Sequence, residues 1–189
     1  LPATLSLCRK PGMNDYPILE YDDTPGDAII EPVREIKRLD MMPQPLVFCF
    51  FRDVLDAVCT QDDVIYKLGS EIGPNYVYGL NVTDHTGAER RIAVMHPGVG
   101  APLAGAFLDE AIALGAEKFI ACGGAGVLDR EIAVGHLIVP TSAVRDEGTS
   151  YHYLPPSREV SASKAGVAAI KAALDSHDIP YTTGKTWTT

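Results

Sequence analysis

The chain has 189 residues, 46% of them hydrophobic, 22% charged and 7% aromatic. That mix describes a globular chain with an aliphatic, alanine-rich core and enough length for about one domain, and it excludes a disordered or collagen-like one. The net charge, 16 Lys and Arg against 25 Asp and Glu, is −9. This excludes a nucleic-acid polymer as partner, since phosphate backbones need clustered cations, but leaves open a small phosphate or nucleoside held by one or two placed arginines.

Residues 1–12 begin at Leu1 and put apolar residues ahead of the charges, the reverse of a secretory signal. They are expected to be leader, tag, upstream readthrough or disordered chain, with an ordinary segment starting at Met13. Residues 13–45, rich in Pro, Asp and Glu, read as an irregular arm that packs through Ile18, Leu19, Ile29, Ile30 and Val33. Residues 46–51 read as a buried strand bounded by Pro43 and Pro45. They belong to the longest apolar run, far short of the roughly 18 residues of a membrane helix, so no membrane partner is expected. Residues 52–58 predict a short helix with Val54, Leu55 and Val58 on one stripe.

Residues 64–68, 77–82 and 91–95 predict strands, the last two joined by a hairpin turn at Asp84-His-Thr-Gly87. After a Gly-rich bend, Pro97-Gly-Val-Gly-Ala-Pro102, residues 103–114 predict an amphipathic helix. It carries Leu103, Phe107, Ala111 and Leu114 on one face and Gly115 at its C-terminal stop. A strand at 118–122 enters Gly123-Gly-Ala-Gly126, and another starts at 137–140 and continues through Ala143 and Val144. Ser161 or Ser163 caps a helix to about Ser176 with Val167, Ile170, Ala173 and Leu174 inward. Residues 179–189 begin a strand, and a chain that stops mid-strand reads as truncated.

This alternation predicts an α/β fold: one mixed central β-sheet over 46–189, with 118–122 as a central strand, flanked by helices 103–114 and 161–176. Ligands of such sheets sit at the carboxyl ends of strands, which singles out the loops after Met95 and Cys122.

Cys8, Cys49, Cys59 and Cys122 form no C-x-x-C pair and there is no H-E-x-x-H, so no metal site is expected. Cys49 and Cys122 lie in apolar runs and read as buried small hydrophobes, free thiols of a cytoplasmic protein. The loop 123–126 fits either packing glycines or backbone N–H groups brought close to an anion. It lacks both the G-x-G-x-x-G spacing and a P-loop lysine. His96-Pro-Gly-Val-Gly100 is open in the same way, structural or ligand-facing. So is Val144-Arg-Asp-Glu-Gly-Thr-Ser-Tyr-His-Tyr153, either a catalytic cluster or a salt-bridged loop leaving the sheet.

Five pieces in order carry a resemblance. They are Pro97-Gly-Val-Gly100, Leu114-Gly-Ala-Glu-Lys-Phe-Ile120, Gly123-Gly-Ala-Gly126, Val134-Gly-His-Leu-Ile-Val-Pro-Thr141 and Ala143-Val-Arg-Asp-Glu-Gly-Thr-Ser-Tyr-His-Tyr153. Together they resemble the nucleoside phosphorylase superfamily, in particular its uridine phosphorylase branch, over about a third of the chain. The resemblance implies that residues 13–189 are the N-terminal portion of one domain of that fold. It implies cleavage of a nucleoside's N-glycosidic bond with phosphate as co-substrate and no organic or metal cofactor. It also implies a cytoplasmic homo-oligomer, dimer or hexamer, whose neighbours complete one another's sites; the arm and Tyr76 and Tyr78 are candidate contact surface.

By the same matching, Arg52, Gly98, Gly123 and Gly124 are the expected phosphate ligands, and His96, Gly126 and Arg145 the expected substrate contacts. Departures accompany the match. The family's Gly-Asp-Pro phosphate motif falls on Phe48-Cys-Phe-Phe-Arg52, where only Arg52 survives. Its second phosphate arginine falls on Ala121, its threonine on Gly124, and its inter-subunit arginine has no counterpart in Ser70-Glu-Ile-Gly73. The resemblance places the ribose and base motifs beyond Thr189, and no catalytic residue is assigned. A dianion needs several charged donors, so these losses bring in a nucleosidase that uses water, and a non-catalytic nucleoside-binding protein of the same fold, as rivals.

Overall fold

The computed structural model describes residues 16–19, 30–69 and 73–188. Cys8, Ile29 and the expected leader at 1–12 lie outside the described residues. The chain divides into two compact units, Gly26–His136 and a second made of Leu1–Pro25 with Leu137–Thr189.

The first unit runs α1 (Pro32–Glu35), β1 (Pro45–Cys49), α2 (Arg52–Val58), β2 (Val64–Leu68), β3 (Asn75–Thr83), β4 (Glu89–Met95), α3 (Ala101–Leu114) and β5 (Lys118–Cys122). Its five strands lie in the order β2-β3-β4-β1-β5. β2, β3 and β4 form an antiparallel meander, and β4, β1 and β5 run parallel. The β3–β4 turn forms where expected: Asp84 Oδ1 accepts the N–H groups of Thr86 at 2.8 Å and Ala88 at 3.1 Å.

Alternation along the strands makes two cores. Leu46 and Phe48 of β1 pack with Val77, Met95 and α3's Phe107, Ala111 and Leu114 on one face. Val47 and Cys49 face the other way, with Leu55 and Val94. α3 buries the stripe that its spacing predicts and stops at Gly115, where φ is +121°. α2 buries Leu55 alone; Val54 and Val58, one turn apart, point to solvent. The expected stripe is corrected because a seven-residue helix lying on a sheet presents one row, and Leu55 is that row. The arm is corrected in the same sense. Ile30 and Val33 are exposed, and Ile36, Leu39 and Met42 dock on the α3-side core in their place.

The second unit holds β6 (Leu137–Arg145), β7 (Glu159–Ser161), α4 (Lys164–Ser176) and β8 (Tyr181–Thr188). β7 pairs antiparallel and β8 parallel to β6, giving the order β7-β6-β8. Ser163 is the cap of α4, its side chain accepting from Gly166 N–H. Val167, Ile170 and Leu174 are half-buried on α4, whereas Ala173 is exposed rather than inward. Pro140 breaks the β6–β8 register, since it has no N–H, and the Thr141 hydroxyl donates to Gly184 O at 3.2 Å instead.

The α/β class therefore stands as expected, but the single sheet does not. Among the described residues the strands lie in two sheets, and β5 is paired with β1. Cys49 is buried as expected, whereas Cys122 is exposed in this chain. Among the described residues β5 has β1 as its one ladder partner, and Ile120, Ala121 and Cys122 are exposed.

Candidate functional site

The parallel trio β4-β1-β5 brings three strand ends together, the place where α/β sheets hold ligands. Beyond them lie the loops at 50–52, 96–100 and 123–126. Phe48 pairs with Met95 and Cys49 with Cys122, so the loops leave from one level of the sheet. The Phe50 N–H donates to Cys122 O at 2.9 Å, extending the β1–β5 ladder by one step.

His96 is the best-defined group here. Its Nδ1 accepts the Gly98 N–H at 3.0 Å, which places the proton of the neutral ring on Nε2. The ring meets Phe50 edge-on at 6.1 Å, and the His96 carbonyl accepts from Asn75 Nδ2 at 2.7 Å. Partial burial and then the nearby Arg52 charge lower its pKa, while a hydrogen bond with the Phe50 backbone pulls the other way. Protonating Nδ1 would also set two N–H donors against each other. His96 is thus held as a neutral ring joining the loops after β1 and β4.

The glycines divide by what they do. Gly98 has φ +78°, and a Cβ there would lie 2.3 Å from Leu103 Cδ2. Only glycine fits, but its N–H is spent on His96 and is not turned to an anion. At Gly123 a Cβ would meet the Phe50 ring at 3.0 Å, and at Gly124 the Phe51 ring at 3.7 Å. The two phenylalanines after β1 therefore lie over the two glycines after β5. Gly126 has open space around it. Arg52, exposed at the start of α2, is felt through its charge at both His96 and Tyr78. The first turn of α3 has no side-chain cap.

Arg145 belongs to the second unit and is 5% exposed. Its Nε donates to Ser150 Oγ at 2.9 Å, and Nη1 to Pro155 O at 2.8 Å and Ser157 Oγ at 2.7 Å. Nη2 donates to Ser150 O at 2.8 Å and Leu154 O at 3.1 Å. A guanidinium has five N–H donors, so none remains for a substrate. Its Cζ lies 4.4 Å from the Tyr151 ring centroid, and Glu147 accepts from the Ser150 hydroxyl and N–H. Glu147 is partly buried, which opposes ionisation, yet these bonds and the Arg145 charge hold its pKa below the ordinary value. The expected substrate contact is in place the anchor of its own loop.

Of the expected residues, Arg52, His96, Gly98, Gly123 and Gly124 gather at one end of one sheet, with Gly126 in the same loop. Phe50, Phe51, Asn75 and Tyr78 were not singled out as site residues. Two consecutive phenylalanines at a strand's carboxyl end, just before Arg52, are a signal for the first two; Asn75 and Tyr78 give none, since β3 pairing brings them in. Among the described residues, no group of three or more His, Cys, Asp or Glu is placed to hold a metal ion.

Known proteins are similar to this chain in sequence and in fold. Uridine phosphorylase of Treponema pallidum (strain Nichols) is 32% identical over 96 residues, 51% of this chain and 37% of its own length. That of Thermococcus kodakarensis is 34% identical over 107 residues, 56% of this chain and 39% of its own. Guanosine phosphorylase of Halorubrum lacusprofundi is 30% identical over 82 residues, 43% of this chain and 33% of its own. The chain thus spans less than half the length of these relatives. Among solved structures, uridine phosphorylase from Vibrio fischeri ES114 superposes with a TM-score of 0.63 at 25% identity, covering 80% of this chain and 61% of that one. A purine nucleoside phosphorylase from Toxoplasma gondii shares the fold with a TM-score of 0.64 at 19% identity, covering 78% and 58%. The family profile of the phosphorylase superfamily matches residues 55–189. With most of the chain inside that match, and its glycine loops at the ends of β4 and β5, the chain belongs to the phosphorylase superfamily.

Proposed function

We propose that the protein carrying this chain is a nucleoside phosphorylase-like pentosyltransferase of nucleoside salvage. A phosphate oxygen attacks the anomeric carbon of a nucleoside, the N-glycosidic bond breaks, and the base leaves with the bonding pair. The observation that carries this reading is the superfamily match over 55–189, which includes two of the three strand-end loops. Charge develops at the sugar in such a reaction, so positioned donors and phosphate supply most of the rate enhancement. Arg52 is the cation available at the strand ends, with Gly123 and Gly124 N–H groups as neutral donors and His96 as a neutral positioning ring.

One observation favours a second reading, hydrolysis by water. The Gly98 N–H is occupied, the Phe50 and Phe51 rings lie over Gly123 and Gly124, and Ala121 brings no charge. A phosphate dianion would then have few strong donors, because neutral hydrogen bonds are about half as strong as charged ones. Supporting the rest of the proposal, the thiols of Cys49, Cys59 and Cys122 are free, as in a cytoplasmic protein, and no helix among the described residues is long and apolar enough to cross a membrane. The protein works as a homo-oligomer with nucleoside and phosphate and without a metal or organic cofactor.

Product analysis on a purine and pyrimidine nucleoside panel, with and without phosphate, tests both readings. Pentose 1-phosphate formed only with phosphate supports phosphorolysis. Free pentose at equal rate in both supports the nucleosidase. No base release from any nucleoside sinks both.

A further inference from the structure

Across the strand-end loops 50–52, 96–100 and 123–126, Arg52 is the one permanently charged side chain and His96 the one that can gain a charge. Asn75 Nδ2 holds the His96 backbone through its carbonyl at 2.7 Å, and the ring stands edge-on to Phe50. With Nδ1 accepting the Gly98 N–H at 3.0 Å, the ring is locked in one neutral tautomer and the Gly98 donor is spent. A proton on Nδ1 reverses both. The Nδ1–H and the Gly98 N–H become two donors side by side, and they repel unless one acceptor serves both. An anion oxygen is such an acceptor. Beside this loop α3 begins, 14 residues long with no side-chain cap and no acidic residue in its first turn, so its N-terminal end favours negative charge. The charge acting on the ring is that of Arg52, at the start of α2, and it opposes protonation. Phe50, from the loop after β1, and Asn75, from β3, are neutral, and the hydrogen bond with the Phe50 backbone favours the charged ring. An anion drawn to Arg52 cancels the opposition of that charge.

We propose that phosphate binds at these strand ends together with one proton, which His96 takes up at Nδ1, so that the imidazolium and the freed Gly98 N–H turn to the same phosphate oxygen. The inference rests on reading these strand ends as an anion site. The proton comes from solvent, and no covalent bond to carbon or phosphorus changes. The empty site holds one cation, Arg52, and the filled site holds two. Coupling of this kind is reciprocal: whatever the proton adds to anion affinity, the anion adds to proton affinity.

The probe is inorganic sulfate, a dianion that, unlike phosphate, does not itself titrate near neutrality. Its binding to the protein carrying this chain is measured by calorimetry on either side of the imidazole range, at about pH 8 and about pH 5.5. Sulfate should bind at least about tenfold more tightly at the acidic pH. Saturating sulfate should raise the His96 pKa, read by NMR, by at least about one pH unit, which is the same coupling seen from the other side. His96→Asn keeps an acceptor for the Gly98 N–H; it should bind sulfate as the parent does at the alkaline pH and lose the gain on acidification. The NMR titration of the parent needs no variant and decides alone should the substitution fail to fold. A His96 pKa that sulfate leaves unchanged or lowers overturns the proposal. So does His96→Asn with the parent's full gain, or no sulfate binding at the acidic pH. None of these measurements needs turnover, so free pentose as the product of a nucleoside would sink phosphorolysis and leave the proton-coupled anion site standing.

Discussion

Two arginines stand in the candidate site residues, and the molecule uses them in opposite ways. Arg145 is inside its unit with every guanidinium donor taken by Ser150, Leu154, Pro155 and Ser157. Arg52 is exposed at a strand end, its charge felt by His96 and Tyr78. An arginine in a dense polar run can thus be the frame of a loop, whereas an arginine after two phenylalanines stands exposed at a strand end. Stability and ligand response should separate them.

The largest effect is expected at Arg145. Arg145→Ala leaves three backbone carbonyls without their charged donor, in a loop otherwise held by Glu147 on Ser150 and by the Tyr151 hydroxyl. Hydrogen bonds to charged groups contribute about 1.5–3 kcal/mol each but not additively, so a loss of at least about 3 kcal/mol is expected in urea unfolding. Arg145→Lys should recover little, because an ammonium cannot reproduce the planar fork that reaches Nε and both Nη partners. Arg52→Ala should stay within about 0.5 kcal/mol of the parent, as exposed substitutions do. Equal stability losses for the two variants would erase the contrast.

Gly98 and Gly126 sharpen the same contrast within the glycine loops. Gly98→Ala puts a methyl 2.3 Å from Leu103 Cδ2 at a φ of +78°. Left-handed backbone costs an L-residue about 1–2 kcal/mol, and overpacking a further 1–3. A loss of about 2 kcal/mol or more is expected, against about 0.5 or less for Gly126→Ala, whose surroundings are open. Thermal unfolding of the pair measures it, and a neutral Gly98→Ala would mean that the loop after β4 is not built as described.

How much of this was legible in the sequence follows from the range of each interaction. The α3 stripe of Phe107, Ala111 and Leu114, the Asp84 turn and the Ser163 cap are set by neighbours within a few residues, and they form where expected. The division of the described strands between two sheets is a decision among segments far apart in sequence, and periodicity carries no trace of it. Ile30 and Val33 are as apolar as Ile36 and Leu39; which pair docks depends on where α1 meets α3. The strand-end loops were legible as places, since glycines after apolar strands mark them. Donor use was not legible: the Gly98 N–H goes to a ring two residues back, and Arg145, in the second unit, is consumed by carbonyls five to ten residues ahead.

At the ligand level, Arg52→Ala should weaken any phosphate requirement by about tenfold in KM for phosphate, the worth of one charge-assisted contact of roughly 1.4 kcal/mol. Steady-state kinetics at varied phosphate give the value. Unchanged saturation with phosphate in that variant would move the anion away from the end of β1.

The smallest effect is on the His96 titration, and its sign is fixed. His96 has a folded pKa below the ordinary imidazole value, through burial first and the Arg52 charge second. Between the two values the unfolded chain binds a proton that the folded chain refuses. The stability contributed by the neutral ring is therefore present above the ordinary imidazole pKa, about 6.5. It is lost as pH falls below that value, and the loss levels off once folded His96 is itself protonated. His96→Asn keeps an acceptor for the Gly98 N–H but cannot titrate, so its stability should fall less over that acidic window. Arg52→Ala should raise the His96 pKa by the smaller part of the shift, leaving the part due to burial. Since an exposed charge is screened by salt and burial is not, added salt should raise the His96 pKa in the parent protein and leave it nearly still in Arg52→Ala. NMR titration of the imidazole in the four combinations of salt and variant reads this directly. A salt response that survives Arg52→Ala would place the responsible charge elsewhere, and Arg52 would no longer be the cation at this strand end.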